Sequence, residues 1–358
     1  MNESFAQYVP VLKWRQGEYQ ALFRLHDSVK DNIVPLVNIP PLEYDFEEKR
    51  MKKTVHEHVE PFPKRFSVKW GNRNAYIDFD ESLHDEFMDT GVSVVNYVFN
   101  EMSSRKHNPV PVTGISRSKN YQSVIRSAHK TIKSGLALRI KFEELMGPDI
   151  SELISELIKY HSLNYNDVDL IIDLGAPKSF EPYEDFAKAL TSRIKSIQGM
   201  DSFRSFVVIA TSICVSDIKT PGGIIPRHEW SLYKALVGEL NGMRTPSFGD
   251  YCIELPTFTP MDMRFINAAG KIVYTTKDSW FVRKGSAFRG KERQMIQHCK
   301  DVIASGHYKE KDYSWGDEVI YNTAKDLECS KSRTIWKQVG FSHHITFVAE
   351  HLSIFHGS

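Results

Sequence analysis

Charged and polar residues follow the apolar runs of this sequence at points where buried strands would end. The first case is KWRQGE (13–18), directly after the run YVPVL (8–12). The cations and amides placed in this way are Lys13, Arg15, Gln16, Arg117, Arg139, Lys141 and Arg283. The carboxylates placed in this way are Glu18, Asp78 and Asp173. Arginine forks and lysine point charges around one opening bind phosphate or carboxylate groups. The pattern therefore predicts a site for a phosphorylated or otherwise anionic small molecule, with a nucleotide as one example.

The predicted catalytic residues are Lys13, Glu18, Asp78 and Asp173. Asp78 or Asp173 would act as general base or metal ligand, and Glu18 would orient Lys13. The predicted ligand-binding residues are Arg15, Gln16, Arg117, Arg139, Lys141, Asp250, Tyr251 and Arg283.

Each of these residues also has a structural interpretation, which the sequence leaves open. Lys13 and Arg15 can pair with carboxylates to close a rim, and Asp78 can cap a helix. Arg139 and Lys141 alternate on one predicted strand, so both face the same side. If that side is buried, the two cations require partners or a ligand.

The elements that must position these residues are eight short apolar runs separated by amphipathic helical stretches. The runs are YVPVL (8–12), IVPLVNI (33–39), AYIDF (75–79), PVPVTGI (109–115), GLALRI (135–140), VDLIIDL (168–174), SFVVIAT (205–211) and GDYCIEL (249–255), the last entered through Asp250 and Tyr251. Continuously apolar strands with helices between them are typical of a parallel sheet covered by helices. Eight such units predict an α/β fold, a TIM-like (β/α)8 barrel over residues 1–258, with an open doubly wound sheet as the alternative. A barrel gathers strand ends around one mouth.

The last hundred residues break this rhythm and predict a C-terminal extension over residues 259–358. KIVYTTKDSWFVRKG (271–285) is typical of a hairpin, residues 290–304 of a helix, and a closing helix is expected to begin near His343. We expect this extension to pack on the barrel and to cover its mouth. TPGGIIP (220–226) is interpreted as a flexible loop.

Composition limits the function classes. The net charge of +1 gives no overall electrostatic field that would attract nucleic acid or an anionic membrane. No apolar stretch approaches the roughly 20 residues that span a bilayer. The four cysteines form no CxxC pair, and the opening residues are not a signal peptide. We therefore expect a cytoplasmic protein. No resident metal is predicted and no cofactor is assigned: the adjacent His343 and His344 point apart on a helix, which favours capping or packing.

The chain resembles the beta protein family, named for a T-even bacteriophage protein. The resemblance rests on PVLKWRQGEYQAL (10–22), IVPLVNIPP (33–41), FGDY (248–251), YTTKDSWFVRKG (274–285), YSWGDEVI (313–320) and WKQVGFSHHITFV (336–348). It implies phage or phage-defence context but no reaction. It also implies a composite site, adding His344 to the ligand-binding residues. The family-pattern residues outside the predicted barrel are Arg283, Trp315, Asp317, Trp336 and His344.

Three functions follow as hypotheses, and whether the protein is an enzyme stays open. The first is a barrel that binds, and can act on, an anionic small molecule. The alternative is a non-catalytic subunit of a phage-encoded or anti-phage system, which would bind a protein partner. The third is a metal-dependent nuclease or phosphodiesterase with Asp78, Asp80 and Asp173 around Mg²⁺, for which the near-zero net charge gives no nucleic-acid signal.

Overall fold

The computed structural model describes residues 8–258 and 268–357. The strands in these residues are β1 (Val9–Leu12), β2 (Leu36–Ile39), β3 (Tyr44–Asp45), β4 (Arg50–Met51), β5 (Tyr76–Phe79), β6 (Val110–Thr113), β7 (Leu136–Lys141), β8 (Val168–Asp173), β9 (Ser205–Ile209), β10 (Gly222–Pro226), β11 (Ser247–Asp250), β12 (Ala269–Thr275) and β13 (Ser279–Ala287). The helices are α1 (Gln16–Arg24), α2 (Asp27–Lys30), α3 (Val55–Val59), α4 (Phe62–Lys69), α5 (Val94–Ser104), α6 (Lys119–Ile132), α7 (Phe142–Leu145), α8 (Ile150–His161), α9 (Tyr183–Lys195), α10 (His228–Glu239), α11 (Gln294–Ala304), α12 (Trp315–Ala324) and α13 (Arg333–Gly357). Short 3-10 turns lie at Glu81–Leu83, Tyr165–Asp167, Met200–Ser202 and Val215–Asp217.

Eight of the strands close into a barrel in the order β1-β11-β9-β8-β7-β6-β5-β2. Every neighbouring pair is parallel, and β1 pairs with both β2 and β11. The predicted (β/α)8 barrel is therefore confirmed, and the open-sheet alternative is excluded.

The middle of the barrel interior, below its carboxyl end, is apolar. The inward-facing side chains include Val9, Val11, Leu36, Tyr76, Val112, Ala137, Ile171, Val207 and Ile209. Side chains alternate across a strand, so the next inward positions on β2, β5, β7 and β8 belong to Asn38, Asp78, Arg139 and Asp173. The strand ends thus place polar groups directly above the apolar side chains that fill the barrel.

The eighth barrel strand ends earlier than predicted. β11 stops at Asp250, whereas the apolar run continues to residue 255. Cys252 adopts a left-handed backbone conformation (φ 55°), so the chain turns out of the sheet. Tyr251, Cys252 and Ile253 are nevertheless buried. Asp250 and Tyr251 therefore lie at the exit of the strand and not at its entrance.

The predicted hairpin is present, and it carries a third strand. β12 and β13 pair antiparallel, and β10 pairs with the other edge of β13. The interpretation of residues 220–226 as a flexible loop is therefore wrong. Gly222 has φ 135°, and a Cβ there would overlap the carbonyl oxygen of Val282. This close backbone approach explains the glycine.

The last helix is longer than predicted. α13 begins at Arg333 and not near His343. It packs on α1, and Phe355 near its end contacts Trp230 of α10 with ring centroids 5.3 Å apart. α13 thus contacts both α1 and α10, and its Ile345 is buried in the core between the barrel and its helices. The division of the chain at residue 258 stays a prediction.

Within the described ranges, none of the helices is long and apolar enough to cross a membrane.

Candidate functional site

Arg139 occupies the centre of the barrel mouth. Its Nη1 donates to Asp78 Oδ2 at 2.8 Å, and its Nε and Nη2 donate to Asp173 Oδ2 at 2.9 and 2.6 Å. Tyr251 follows β11 and points inward, where its hydroxyl donates to Asp173 Oδ2 at 2.6 Å and accepts from Arg139 Nη2 at 2.9 Å. Three barrel strands and one loop therefore meet in one buried network, which we call the floor of the mouth (Asp78, Arg139, Asp173 and Tyr251).

Arg117 joins the floor from the loop after β6. Its Nη2 lies 3.2 Å from both oxygens of Asp78, and its Nη1 lies 3.0 Å from Nε2 of His84. Burial alone would raise the pKa of Asp78, but Arg117 and Arg139 outweigh it and hold the pKa below its usual value. Burial and the Arg117 charge lower the pKa of His84. Two guanidinium groups thus balance the two carboxylates.

A second, exposed layer lies above the floor. Lys141 Nζ lies 3.0 Å from Glu81 Oε1, and Arg117 Nη1 lies 3.8 Å from the same oxygen. The side chains of Lys141 and Glu81 are 50% and 66% exposed. The hydrogen bond from Lys141, together with its charge, lowers the pKa of Glu81. Glu81 therefore bridges two cations at the solvent side of the mouth.

A cleft of about 350 Å³ opens beside this layer, at the carboxyl ends of β7 and β8. It is lined by Phe142, Glu143, Leu174, Gly175, Ala176, Pro177, Phe180 and Phe186. Phe142 directly follows Lys141, and the backbone N–H of Gly175 donates to Asp173 Oδ1 at 3.0 Å. The cleft is thus attached to both layers of the mouth.

Asn38 leaves one polar atom of the barrel interior without a partner. It lies on β2, directly opposite Asp78 of β5, and its buried Oδ1 has no hydrogen bond to any other residue that the structure describes. A buried amide oxygen without a donor costs free energy unless a ligand or water supplies one.

Lys13 and its neighbours form a separate cluster. Lys13 Nζ donates to the carbonyl oxygen of Thr257 at 2.8 Å and lies 3.7 Å from Glu254, which also pairs with Lys337. Glu18 is buried and accepts from the backbone N–H of Arg15 at 3.1 Å.

Burial shapes the charges of this cluster. Burial and the Glu254 charge raise the pKa of Glu18 to about 7, and burial lowers the pKa of Lys13. Arg15 lies over the ring of Phe258, and Gln16 is exposed at the start of α1. In the described residues no hydrogen bond or ion pair joins Lys13 to the floor.

Asp250 and His344 meet outside the barrel. Asp250 Oδ2 lies 2.9 Å from His344 Nε2, and Tyr8 donates to Asp250 Oδ1 at 2.6 Å. Arg283 lies in yet another place, paired with Asp301 of α11 at 2.5 Å. The predicted residues are therefore distributed: the floor and outer layer hold Asp78, Arg117, Arg139, Lys141, Asp173 and Tyr251, whereas the remaining ones lie elsewhere.

A model of the Beta protein family matches residues 8–350, nearly the whole chain. The chain belongs to the Beta protein family. The comparison with curated proteins finds no match. In this Beta protein the first motif, KWRQGE (13–18), does not reach the floor. The ring centroid of its Trp14, which has φ 52°, lies 5.4 Å from that of Phe62. Its Glu18 accepts from the backbone N–H of Arg15, the residue before α1.

The motifs of this Beta protein instead meet where α13 joins the barrel and the hairpin. His343 Nδ1 lies 3.0 Å from Asp317 Oδ2, and Tyr274 donates to Asp317 Oδ1 at 2.7 Å. The motif FGDY (248–251) contributes to two separate clusters, because Asp250 contacts His344 and Tyr251 contacts Arg139. His84 and Cys252 were not predicted as site residues, because His84 lies in none of the motifs and Cys252 lies inside the apolar run 249–255.

Proposed function

We propose that this Beta protein binds a small anionic molecule at the barrel mouth, with Lys141 and Arg117 as its anion-binding groups. The observation that carries the proposal is the position of Glu81, whose carboxylate oxygen lies between these two cations. An exposed pair such as Lys141 and Glu81 contributes about 0–1 kcal/mol. A ligand phosphate or carboxylate offers the same oxygen atoms and replaces Glu81.

The floor supports this proposal by holding the cations in place. The guanidinium of Arg139 donates hydrogen bonds to Asp78, Asp173 and Tyr251. Arg139 is therefore a positioning residue for the layer above it. Arg117 is anchored on Asp78 through Nη2, while its Nη1 faces His84 and Glu81. A fixed guanidinium loses less entropy when an anion binds.

The neighbouring cleft supports a ligand that carries a flat or apolar group besides its charge. Phe142 and Phe186 stack with ring centroids 5.7 Å apart and planes at 21°. A nucleotide has both parts: a base for the aromatic wall and phosphate oxygens for Lys141 and Arg117. Asn38 Oδ1 is an unused acceptor for a ligand N–H or O–H.

The metal-dependent nuclease hypothesis has less support. Asp78 and Asp173 are both bound by Arg139, and Asp80 accepts from the backbone N–H and hydroxyl of Ser82. These carboxylates are therefore occupied by internal donors. The role in phage biology or defence that the resemblance implies stays a prediction.

Calorimetric titration with ATP and with inorganic pyrophosphate tests the proposal. Lys141→Ala removes a charge-assisted contact of about 1.5–3 kcal/mol, which corresponds to a loss of roughly ten- to hundredfold in affinity. Glu81→Gln removes the competing carboxylate, so we expect tighter binding. Lys234→Ala is the matched control, because Lys234 pairs with Asp278 at 3.1 Å and is 40% exposed on α10.

Equal affinity of the Lys141→Ala and Lys234→Ala variants would reject the assignment of Lys141. Absence of binding of either probe to the unmodified protein would reject a nucleotide or phosphate ligand and favour the protein-interaction hypothesis.

A further inference from the structure

Three side chains with different donor atoms converge between the barrel and α13. Asp250 supplies a carboxylate, Cys252 a thiol and His344 an imidazole, and their ligand atoms all lie within 4.8 Å of one another. All three residues are fully buried. They come from the end of β11 and from the middle of α13, so folding alone brings them together.

We infer that Asp250, Cys252 and His344 form a binding site for a divalent transition metal ion of the zinc class. Oxygen, sulfur and nitrogen ligands in one compact set suit zinc, which is bound in four-coordinate sites. The phenol oxygen of Tyr8 lies at the same place, 2.6 Å from Asp250 Oδ1 and 3.6 Å from Cys252 Sγ. The inferred site lies outside the barrel mouth and is independent of the proposed ligand.

The spacing of the nitrogen and oxygen ligand atoms is close to that of a tetrahedral site. Bonds of about 2.0 Å to nitrogen or oxygen and about 2.3 Å to sulfur place neighbouring ligand atoms roughly 3.3–3.5 Å apart. His344 Nε2 lies 2.9 Å from Asp250 Oδ2, so this pair reaches that spacing with a shift of a few tenths of an ångström. The ligand atom of Cys252 lies within 4.8 Å of both.

The surroundings orient the ligands. Nδ1 of His344 lies 2.8 Å from the hydroxyl oxygen of Thr275, which leaves Nε2 for the ion. Metal-bound histidines commonly have such a second partner. The backbone N–H of Cys252 donates to Asp250 Oδ1 at 2.9 Å, and Cys252 has φ 55°. An uncommon conformation at a thiol that is turned toward two other ligands is consistent with a site that the fold maintains.

The balance of buried charge also favours a cation here. Arg227 lies 3.3 Å from Glu229 and 3.8 Å from Asp250, and all three side chains are fully buried. Two carboxylates thus share one guanidinium. A divalent ion bound to a Cys252 thiolate adds one net positive charge, so the cluster becomes neutral. Unbalanced buried charge is costly.

Binding to the thiolate releases one proton, because a coordinating thiol is deprotonated. His343 is not a ligand, since it contacts Asp317 and the carbonyl oxygen of Thr275.

Metal content and a cobalt spectrum test the inference on the full-length chain. We expect protein expressed in zinc-supplemented medium to retain about one zinc ion per chain after dialysis against a chelator. Protein from cobalt-supplemented medium should show a thiolate-to-cobalt charge-transfer band. Cys252→Ser should abolish this band and the bound metal, whereas Cys299→Ser should keep both, because Cys299 is an equally buried thiol in a different core.

A variant with Cys214, Cys299 and Cys329 all replaced by serine provides a second measurement if Cys252→Ser does not fold. Its cobalt band must persist if Cys252 is the thiolate ligand. Protein without stoichiometric zinc and without the band overturns the inference, as does a band that Cys252→Ser leaves unchanged.

Discussion

Arg139 and Lys141 show how the depth of a side chain determines its role. Both lie on β7 and face the same side, as the alternation of the strand predicts. Arg139 reaches only buried partners, whereas Lys141 pairs with an exposed glutamate. The same charge on neighbouring inward positions is therefore structural in one case and available to a ligand in the other.

Replacement of the two cations should separate these roles. Arg139→Ala leaves Asp78 and Asp173 buried with fewer partners, and we expect a loss of about 3–5 kcal/mol in the free energy of unfolding. Lys141→Ala removes an exposed pair and should cost less than about 1 kcal/mol. Urea unfolding monitored by circular dichroism measures both values.

A double variant checks the cause of the Arg139 effect. Asp173→Asn in the Arg139→Ala background removes one unpaired charge, so part of the lost stability should return. If Arg139→Ala costs no more than Lys141→Ala, the floor is not the buried ion network described above.

Single residues were predicted better than their grouping. Strand alternation predicted that Arg139 and Lys141 face the same side, and the polar end of an apolar run predicted the position of Asp173. Asp250 and Tyr251 could not be separated in this way, because the apolar residues 251–255 conceal the end of β11. Beyond the true end of a strand the alternation no longer applies, so it cannot give the side that each of these residues faces.

At the level of elements, α12 and α13 approach each other through a glycine. A Cβ added to Gly316 would overlap the carbonyl oxygen of Val339 and would lie 3.3 Å from the Cα of Val339. Asp317 follows Gly316 and binds His343 of α13. The short contact therefore sets the position of the helix that supplies His343 and His344.

Gly316→Ala should weaken this contact. The added methyl group meets backbone atoms that cannot rotate away, so we expect a cost of about 1–3 kcal/mol. Gly238→Ala is the matched control: Gly238 is also helical, on α10, and its Cβ would meet nothing within 4 Å. The control should gain about 0.4–1 kcal/mol because alanine restricts the unfolded chain. Thermal unfolding of the two variants gives the comparison, and equal effects would contradict the close packing of α12 on α13.

Helical elements were predicted where one face is apolar and missed where both faces are buried. α6 and α9 have such a face and fall in the amphipathic stretches that the sequence predicts between the apolar runs. α13 is buried on most sides, so its sequence has no amphipathic period, and Gly340 resembles a helix end. In the fold, Gly340 admits Ile253, whose Cδ1 would lie 2.6 Å from an added Cβ. β10 was missed because it gains its partner from residues far along the chain.

For the whole molecule, α13 connects two hydrophobic cores. Trp336 and Val339 near its start belong to the core of the hairpin, α11 and α12. Phe341, Ile345 and Leu352 farther along belong to the core between the barrel and its helices. A single helix thus contributes to both cores, and β10 gives the hairpin a strand from within the barrel sequence. We therefore propose that the barrel and the extension unfold together.

Core substitutions on either side of α13 test this coupling. Leu352→Ala in the barrel core and Met295→Ala in the extension core should each cost about 2–5 kcal/mol, because both side chains are buried. Each variant should shift one shared transition to lower urea when fluorescence and circular dichroism are followed together. Ile354→Ala, on the same helix but 62% exposed, should change stability by less than about 0.5 kcal/mol. Should Met295→Ala produce a separate early transition while the barrel signal keeps its midpoint, the extension is an independent unit, and α13 covers the barrel without coupling the two cores.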